Sequence, residues 1–195
     1  MNKDQLMIRQ IDVKPSDEDM VIEGYAAVYD SPTVLWTDED GTQYKEVIER
    51  GAFSAADLSN VVLRYNHSPE GMVLARTTNG TLQVTPDQNG LKIRAKLALL
   101  ERAPTTAGKD LYALIKRGDV NKMSFGGYSQ DVDYDLDNHM RHIKTMRNLF
   151  DVSAVDFPAY EATSLAAVQR SFEEARKTEQ NLIEERMRIQ IAALF

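Results

Sequence analysis

The sequence predicts an α+β protein: mainly an antiparallel β-barrel of short strands, with flanking helices and a long C-terminal helix. Three observations carry this prediction. Short β-prone runs recur through residues 5–97 and are punctuated by turn residues such as Asn79-Gly80 and Asn89-Gly90. A helical pattern comes next at 105–117, and strand patterns resume at Lys122–Val132 and Arg141–Asp156. From Ser164 onward the composition turns to Ala, Glu, Gln, Arg and Leu, which reads as one long helix. Closing the strands into a barrel removes their exposed edges.

The elements run in chain order. Residues 5–13 and 20–29 read as strands divided by the polar turn Lys14-Pro15-Ser16-Asp17-Glu18-Asp19. Residues 31–43, with Pro32 and Gly41, read as a mobile loop, leading to a short strand at Glu46–Ile48 and one or two helical turns over Ala52–Leu58. The strand Val61–Asn66 comes next, then strands at 72–77, 80–85 and 90–97. Thr105 or Thr106 caps a helix whose inward stripe is Leu111, Leu114 and Ile115, and Gly118 supplies its stop. The polar run 133–138 is a hairpin tip. In Ala166–Leu194 the apolar residues, Phe172, Leu182, Ile183 and Met187 among them, spread too far around a helix for one buried face. That predicts a division into a domain at 1–165 and a helical arm at 166–195.

Composition narrows the function classes. The 195 residues include no cysteine, which excludes disulfides, a cysteine nucleophile and thiolate metal sites. A net charge of −7 without a dense basic cluster argues against nucleic acid as the ligand. No apolar run reaches the roughly 20 residues of a membrane span, and the N-terminus lacks a signal-peptide core, so the expectation is a cytoplasmic protein with protein partners.

Several residues carry chemistry. Ser124 lies early in the strand after the helix stop, in Lys116-Arg117-Gly118-Asp119-Val120-Asn121-Lys122-Met123-Ser124-Phe125-Gly126-Gly127. Gly126 and Gly127 read as room for a substrate backbone. A serine nucleophile needs a base and a group to orient that base. His67 stands where the strand Val61-Val62-Leu63-Arg64-Tyr65-Asn66 runs into Ser68-Pro69 turn chemistry. In Asp151-Val152-Ser153-Ala154-Val155-Asp156 period-two alternation puts Asp151, Ser153 and Val155 on one face and Asp156 on the other. Either aspartate is an acidic candidate. The bland readings are a strand serine, a turn histidine and a surface carboxylate.

Other constellations are weaker. His139 and His142 stand beside Asp131, Asp133, Asp135 and Asp137, but residues three apart on a strand face opposite sides, which reads as a solvated hairpin rather than a metal site. Lys109 and Lys116, candidate serine-lysine bases, lie on the helix flank. Serine chemistry calls for no metal and no cofactor. The absence of a Gly-x-Ser-x-Gly elbow disfavours an α/β-hydrolase.

Six segments, in order, resemble the prohead maturation proteases of tailed phages with the Hong Kong 97 type of capsid. They are Ile22-Glu23-Gly24-Tyr25-Ala26-Ala27-Val28-Tyr29, Glu46-Val47-Ile48-Glu49-Arg50-Gly51-Ala52-Phe53, Asn66-His67, Val73-Leu74-Ala75-Arg76-Thr77, the Gly118–Gly126 stretch, and Val152-Ser153 through Pro158-Ala159. The resemblance spans residues 22 to about 160. It implies a serine peptidase with His67 as general base, Ser124 as nucleophile and Asp151, where many relatives carry Glu, as third member. The Ala159 backbone N–H is the oxyanion donor implied by the family pattern.

The resemblance further implies that the activity is that of a serine endopeptidase for capsid maturation. It would act in the host cytoplasm inside the assembling procapsid, on the scaffolding portion of the major capsid protein and on its own chain. The family is similar to the herpesvirus assembly proteases, which leaves room for a homodimer. The rival reading is a non-enzymatic scaffolding or capsid-assembly module that binds through the terminal helix.

Overall fold

The computed structural model describes residues 5–15, 20–97, 105–156 and 162–192. The first eight strands are β1 (Gln5–Pro15), β2 (Val21–Val28), β3 (Thr33–Thr37), β4 (Gln43–Ile48), β5 (Val62–Tyr65), β6 (Ala75–Arg76), β7 (Leu82–Pro86) and β8 (Gly90–Lys96). Helix α1 (Thr106–Arg117) is next, then β9 (Lys122–Asp135), β10 (Met140–Val155) and helix α2 (Ala162–Ala192). The class is α+β, as the sequence predicts.

The strands order as β3-β4-β10-β9-β1-β2-β8-β7, with β5 beside β10 and β6 beside β5. Among the described residues this sheet is open, and the barrel expected from the sequence is not formed. The reason lies in β10. Its 16 residues pair with β9 along one side, while the other side takes β4 at Met140–Ile143 and β5 at Asp151–Ala154, both parallel. Two short strands thus share one long edge and branch the sheet, and its end strands β3 and β7 do not pair with each other to close it. The β9–β10 hairpin matches the strands expected at Lys122–Val132 and Arg141–Asp156 to within a few residues at each end.

Three local expectations change. The strand expected at 72–77 shrinks to Ala75–Arg76, with a 3-10 turn at Thr77–Asn79 after it. Residues 31–43 contain β3, whose Trp36 stacks on Tyr44 of β4 at 4.3 Å between ring centroids. The stretch Ala52–Leu58 forms successive turns, Ala52 N–H to Glu49 O and Ala56 N–H to Phe53 O, rather than a helix.

α1 forms as read. The Thr105 hydroxyl accepts from Gly108 N–H at 3.1 Å, Leu111 and Ile115 are buried, and Gly118 closes the helix at φ 86°, where a side chain is strained. Its stripe joins a core built from one face of each main strand, including Ile22, Leu63, Met123, Phe125, Val152 and Ala154. Across β10 and β4, Arg141 and Glu46 form a fully buried ion pair.

A second apolar cluster docks α2. Val168 and Phe172 are buried against Leu35 and Tyr44, with Trp36, Tyr134 and Leu136 around them. Arg176 donates to the Tyr44 hydroxyl at 2.9 Å. Beyond it Leu182, Ile183, Met187 and Ile189 are exposed. No helix among the described residues is long and apolar enough to cross a membrane.

Candidate active site

Three adjacent strands, β5, β10 and β9, carry the site on the sheet face opposite the core. Alternation decides the faces: Leu63, Val152, Ala154, Met123 and Phe125 enter the core, so Arg64, Asp151, Ser153 and Ser124 turn the other way. That face is buried too, with Ser124 and Ser153 at 0% exposure and Asp151 at 4%.

His67 leaves β5 through a strained turn. Asn66 and His67 hold φ of 52° and 53°, a left-handed region that costs a non-glycine residue energy and persists only where its surroundings enforce it. Three bonds, two to β10 and one from Asp156 just after it, enforce it. Asn66 N–H donates to Ala154 O at 3.0 Å, Asp156 N–H donates to the Asn66 side-chain oxygen at 3.1 Å, and His67 N–H donates to Ser153 Oγ at 3.2 Å. Arg64 adds a brace from β5, its Nη1 donating to the carbonyls of Ser68 and Gly71 at 2.9 Å each.

This turn swings the imidazole over β10. Nδ1 of His67 lies 2.8 Å from Oδ2 of Asp151, with side-chain exposures of 4% and 5%. Nδ1 donating to that carboxylate leaves Nε2 with the lone pair, and Nε2 makes no hydrogen bond among the described residues. Ser124 is one strand further on, directly paired with Ser153 in the β9–β10 register. Direct partners in an antiparallel pair point to the same face with Cβ atoms about 4.5–5.5 Å apart. The structure therefore brings His67 and Asp151 together and sets Ser124 on the neighbouring strand, without a hydrogen bond to Nε2.

Asp151 owes its aim to a β-bulge. Leu149 pairs with Gly127 and Asp151 with Gly126, which leaves Phe150 as the extra residue. The bulge places both Phe150 and Asp151 over Gly126, where an added Cβ would lie 2.3 Å from Asp151 Oδ1 and 2.5 Å from Phe150 Cε2. At Gly127 a Cβ would lie 2.5 Å from Asn148 O. The two glycines thus make room for this protein's own carboxylate and backbone.

Asp156 faces away, as alternation predicts, and accepts from the Tyr65 hydroxyl at 3.1 Å. Burial, and then that bond, push the Tyr65 phenol up. Beside the His67–Asp151 pair opens a groove of about 360 Å³ lined by Asn60, Arg64, Arg76 and Phe150. Ser153 is the residue that sequence reasoning placed on the right face and gave no part. Its signal was the two-residue spacing from Asp151.

The remaining candidates separate. His142 pairs with Glu49 at 3.1 Å, whereas His139 packs on Tyr44 at 4.9 Å between rings and contacts Arg176. Among the described residues no group of three His or acidic side chains could hold a metal ion. Lys109 and Lys116 lie exposed on α1, whereas Ser124 is fully buried on β9. Ala159 lies outside the described residues.

The sequence profile of the caudovirus prohead serine proteases matches residues 5–178, which takes in every element from β1 through the docked part of α2. The chain belongs to this family. The prohead protease of Enterobacteria phage HK97 is 30% identical over 154 residues, which cover 76% of this chain and 60% of that protein. The chain therefore spans 60% of that relative's length. No solved structure matches it. The matched region of this prohead protease family member includes His67, Ser124, Asp151 and Ser153.

Proposed function

We propose that this chain is a serine endopeptidase of procapsid maturation, with Ser124 as nucleophile, His67 as general base and Asp151 as the group that orients and charge-stabilises His67. The observation that carries this is the buried 2.8 Å contact between Nδ1 of His67 and Oδ2 of Asp151, with Nε2 left unbonded one strand from Ser124. Belonging to a serine protease family supports the reading.

The chemistry then runs as acyl transfer. Nε2 takes the Ser124 proton as Oγ attacks a peptide carbonyl, and returns it to the departing amine; water hydrolyses the acyl-enzyme by the same proton path. Asp151 holds the imidazole as the tautomer whose free lone pair is on Nε2 and stabilises it when charged. Backbone donors for the oxyanion contribute on the order of 3 kcal/mol each, and the Ala159 N–H is the proposed donor. Ser124 has no exposed surface, so this conformation is a resting one: Ser124 reaches a substrate, and closes on Nε2, after a local rearrangement. Loose catalytic hydrogen bonds are common in resting enzymes.

The substrate is the scaffolding portion of the major capsid protein, together with the chain itself, inside the assembling procapsid in the host cytoplasm. The protein acts without a cofactor, and a homodimer is compatible with its open edges. Residues 166–195 serve as the arm that binds assembly partners, consistent with the exposed Leu182, Ile183, Met187 and Ile189.

Co-expression with the capsid protein tests the reading. The wild-type chain cuts it, and Ser124→Ala and His67→Ala each abolish cutting while remaining folded by circular dichroism. Cleavage by either variant refutes the assignment. An uncut capsid protein with the wild-type chain favours the non-enzymatic assembly module.

A further inference from the structure

Ser153 is fully buried and hydrogen-bonds in both directions. Its hydroxyl donates to Asp151 Oδ2 at 3.1 Å and accepts from the His67 backbone N–H at 3.2 Å. The same Asp151 oxygen accepts from His67 Nδ1 at 2.8 Å. Three hydrogen bonds thus close a ring: His67 N–H to Ser153, Ser153 to Asp151, and His67 Nδ1–H to Asp151. One histidine is held at its backbone and at its imidazole by two residues of β10.

The geometry points to Ser153 as a positioning residue of the dyad, acting through Asp151 and His67 rather than on the substrate. This inference rests on the catalytic reading above. A hydroxyl whose proton is given to a carboxylate, and whose lone pair takes a backbone N–H, is locked in orientation and unavailable as a nucleophile.

The contribution of Ser153 is clearest from the state without its hydroxyl. Oδ1 of Asp151 is buried with no hydrogen-bond partner among the described residues, so both bonds to the carboxylate fall on Oδ2. Removing the hydroxyl leaves the imidazole as the carboxylate's single partner there and frees χ1 and χ2 of Asp151 to drift. It also leaves the His67 N–H unsatisfied in a left-handed turn. That turn persists only because β10 holds it. The imidazole then loses its fixed orientation over β10, and displacements near 1 Å cost about 10²-fold in turnover.

The charged groups facing the dyad leave Ser153 without a substitute. Arg64 of β5 is engaged with loop carbonyls, Arg76 of β6 donates through Nε to Asn60 at 2.9 Å, and neither is hydrogen-bonded to Asp151. Asp156 is turned to Tyr65.

The test uses the full chain and a fluorogenic peptide built on the cut site mapped in the co-expressed capsid protein. Ser153→Ala is expected to lower kcat by about 10- to 100-fold with KM changed less than about threefold. Ser153→Thr, which keeps the hydroxyl, is expected to restore kcat to within about tenfold of wild type. In an Asp151→Asn background Ser153→Ala should cost far less, because residues acting as one unit are non-additive. A merely structural serine would instead lower the folded fraction and leave the kcat of the folded enzyme unchanged. Should the alanine chain fail to fold, Ser153→Cys keeps the volume with a weaker donor and is expected to lose kcat in the same way. Wild-type kcat in the folded Ala or Cys variant, or an undiminished loss in the Asp151→Asn background, overturns the proposal. If Ser124→Ala still cuts, the catalytic reading itself has failed, which is a separate result.

Discussion

Gly126→Ala offers a direct test of how the carboxylate is aimed. The added Cβ would lie 2.3 Å from Asp151 Oδ1, about 1 Å inside the 3.4 Å of ordinary contact, and 2.5 Å from Phe150 Cε2. The Phe150 residue is 37% exposed, and its ring can swing outward. The carboxylate cannot yield as cheaply, since Oδ2 holds both His67 and Ser153. Relief therefore comes from moving Asp151 by about 1 Å, which strains or breaks its contact with Nδ1. Overpacking of this kind costs about 1–3 kcal/mol of stability, and the lost alignment is expected to lower kcat about 10²-fold. The assay is peptide cleavage at saturating substrate, alongside thermal denaturation by circular dichroism. A folded Gly126→Ala chain with wild-type kcat would refute the reasoning, for it would mean that the Asp151–His67 contact tolerates displacement or plays no part in turnover.

Other perturbations give separable outcomes. Asp151→Asn removes the charge and favours the wrong imidazole tautomer, and a loss of about 10³- to 10⁴-fold in kcat is expected in the same peptide assay. Arg141→Ala strands the buried Glu46 carboxylate; urea unfolding should show a loss of about 3–5 kcal/mol, with the double replacement Arg141→Met and Glu46→Leu recovering most of it. Phe172→Ala empties the second cluster, for which chemical denaturation should report about 3–5 kcal/mol, whereas the exposed Ile189→Ala should stay within about 0.5 kcal/mol.

The parts of the site that rest on local chemistry were legible in the chain. Thr105 and Gly118 bound α1 because an N-cap oxygen and a residue tolerant of φ 86° act within one helical turn. Asp151 and Asp156 face opposite ways because the strand period is two. The bulge at Phe150 was hidden, since an extra residue is visible only against the partner strand that skips it. Gly126 marks a close approach in the sequence, and the structure shows the Asp151 carboxylate and the Phe150 ring against it. Trp36, in a segment that the sequence reads as a loop, is a strand residue because β3 pairs with β4, and Tyr44 and Phe172 pack on its ring.

Residue pattern alone was enough for the α+β class, the capped helix, the face assignment of Asp151 and, through motifs kept in order, the family. Each of these depends on residues a few positions apart or on their order along the chain. Long-range packing set the open, branched sheet, the ring joining His67, Ser153 and Asp151, and the burial of Ser124. His67 and Asp151 are 84 residues apart, and they meet because β5 and β10 run parallel side by side with Asp151 opposite Val62 and Ser153 opposite Arg64. Strand pairing at that separation is chosen by the whole chain's burial and hydrogen bonding, and no local pattern encodes it.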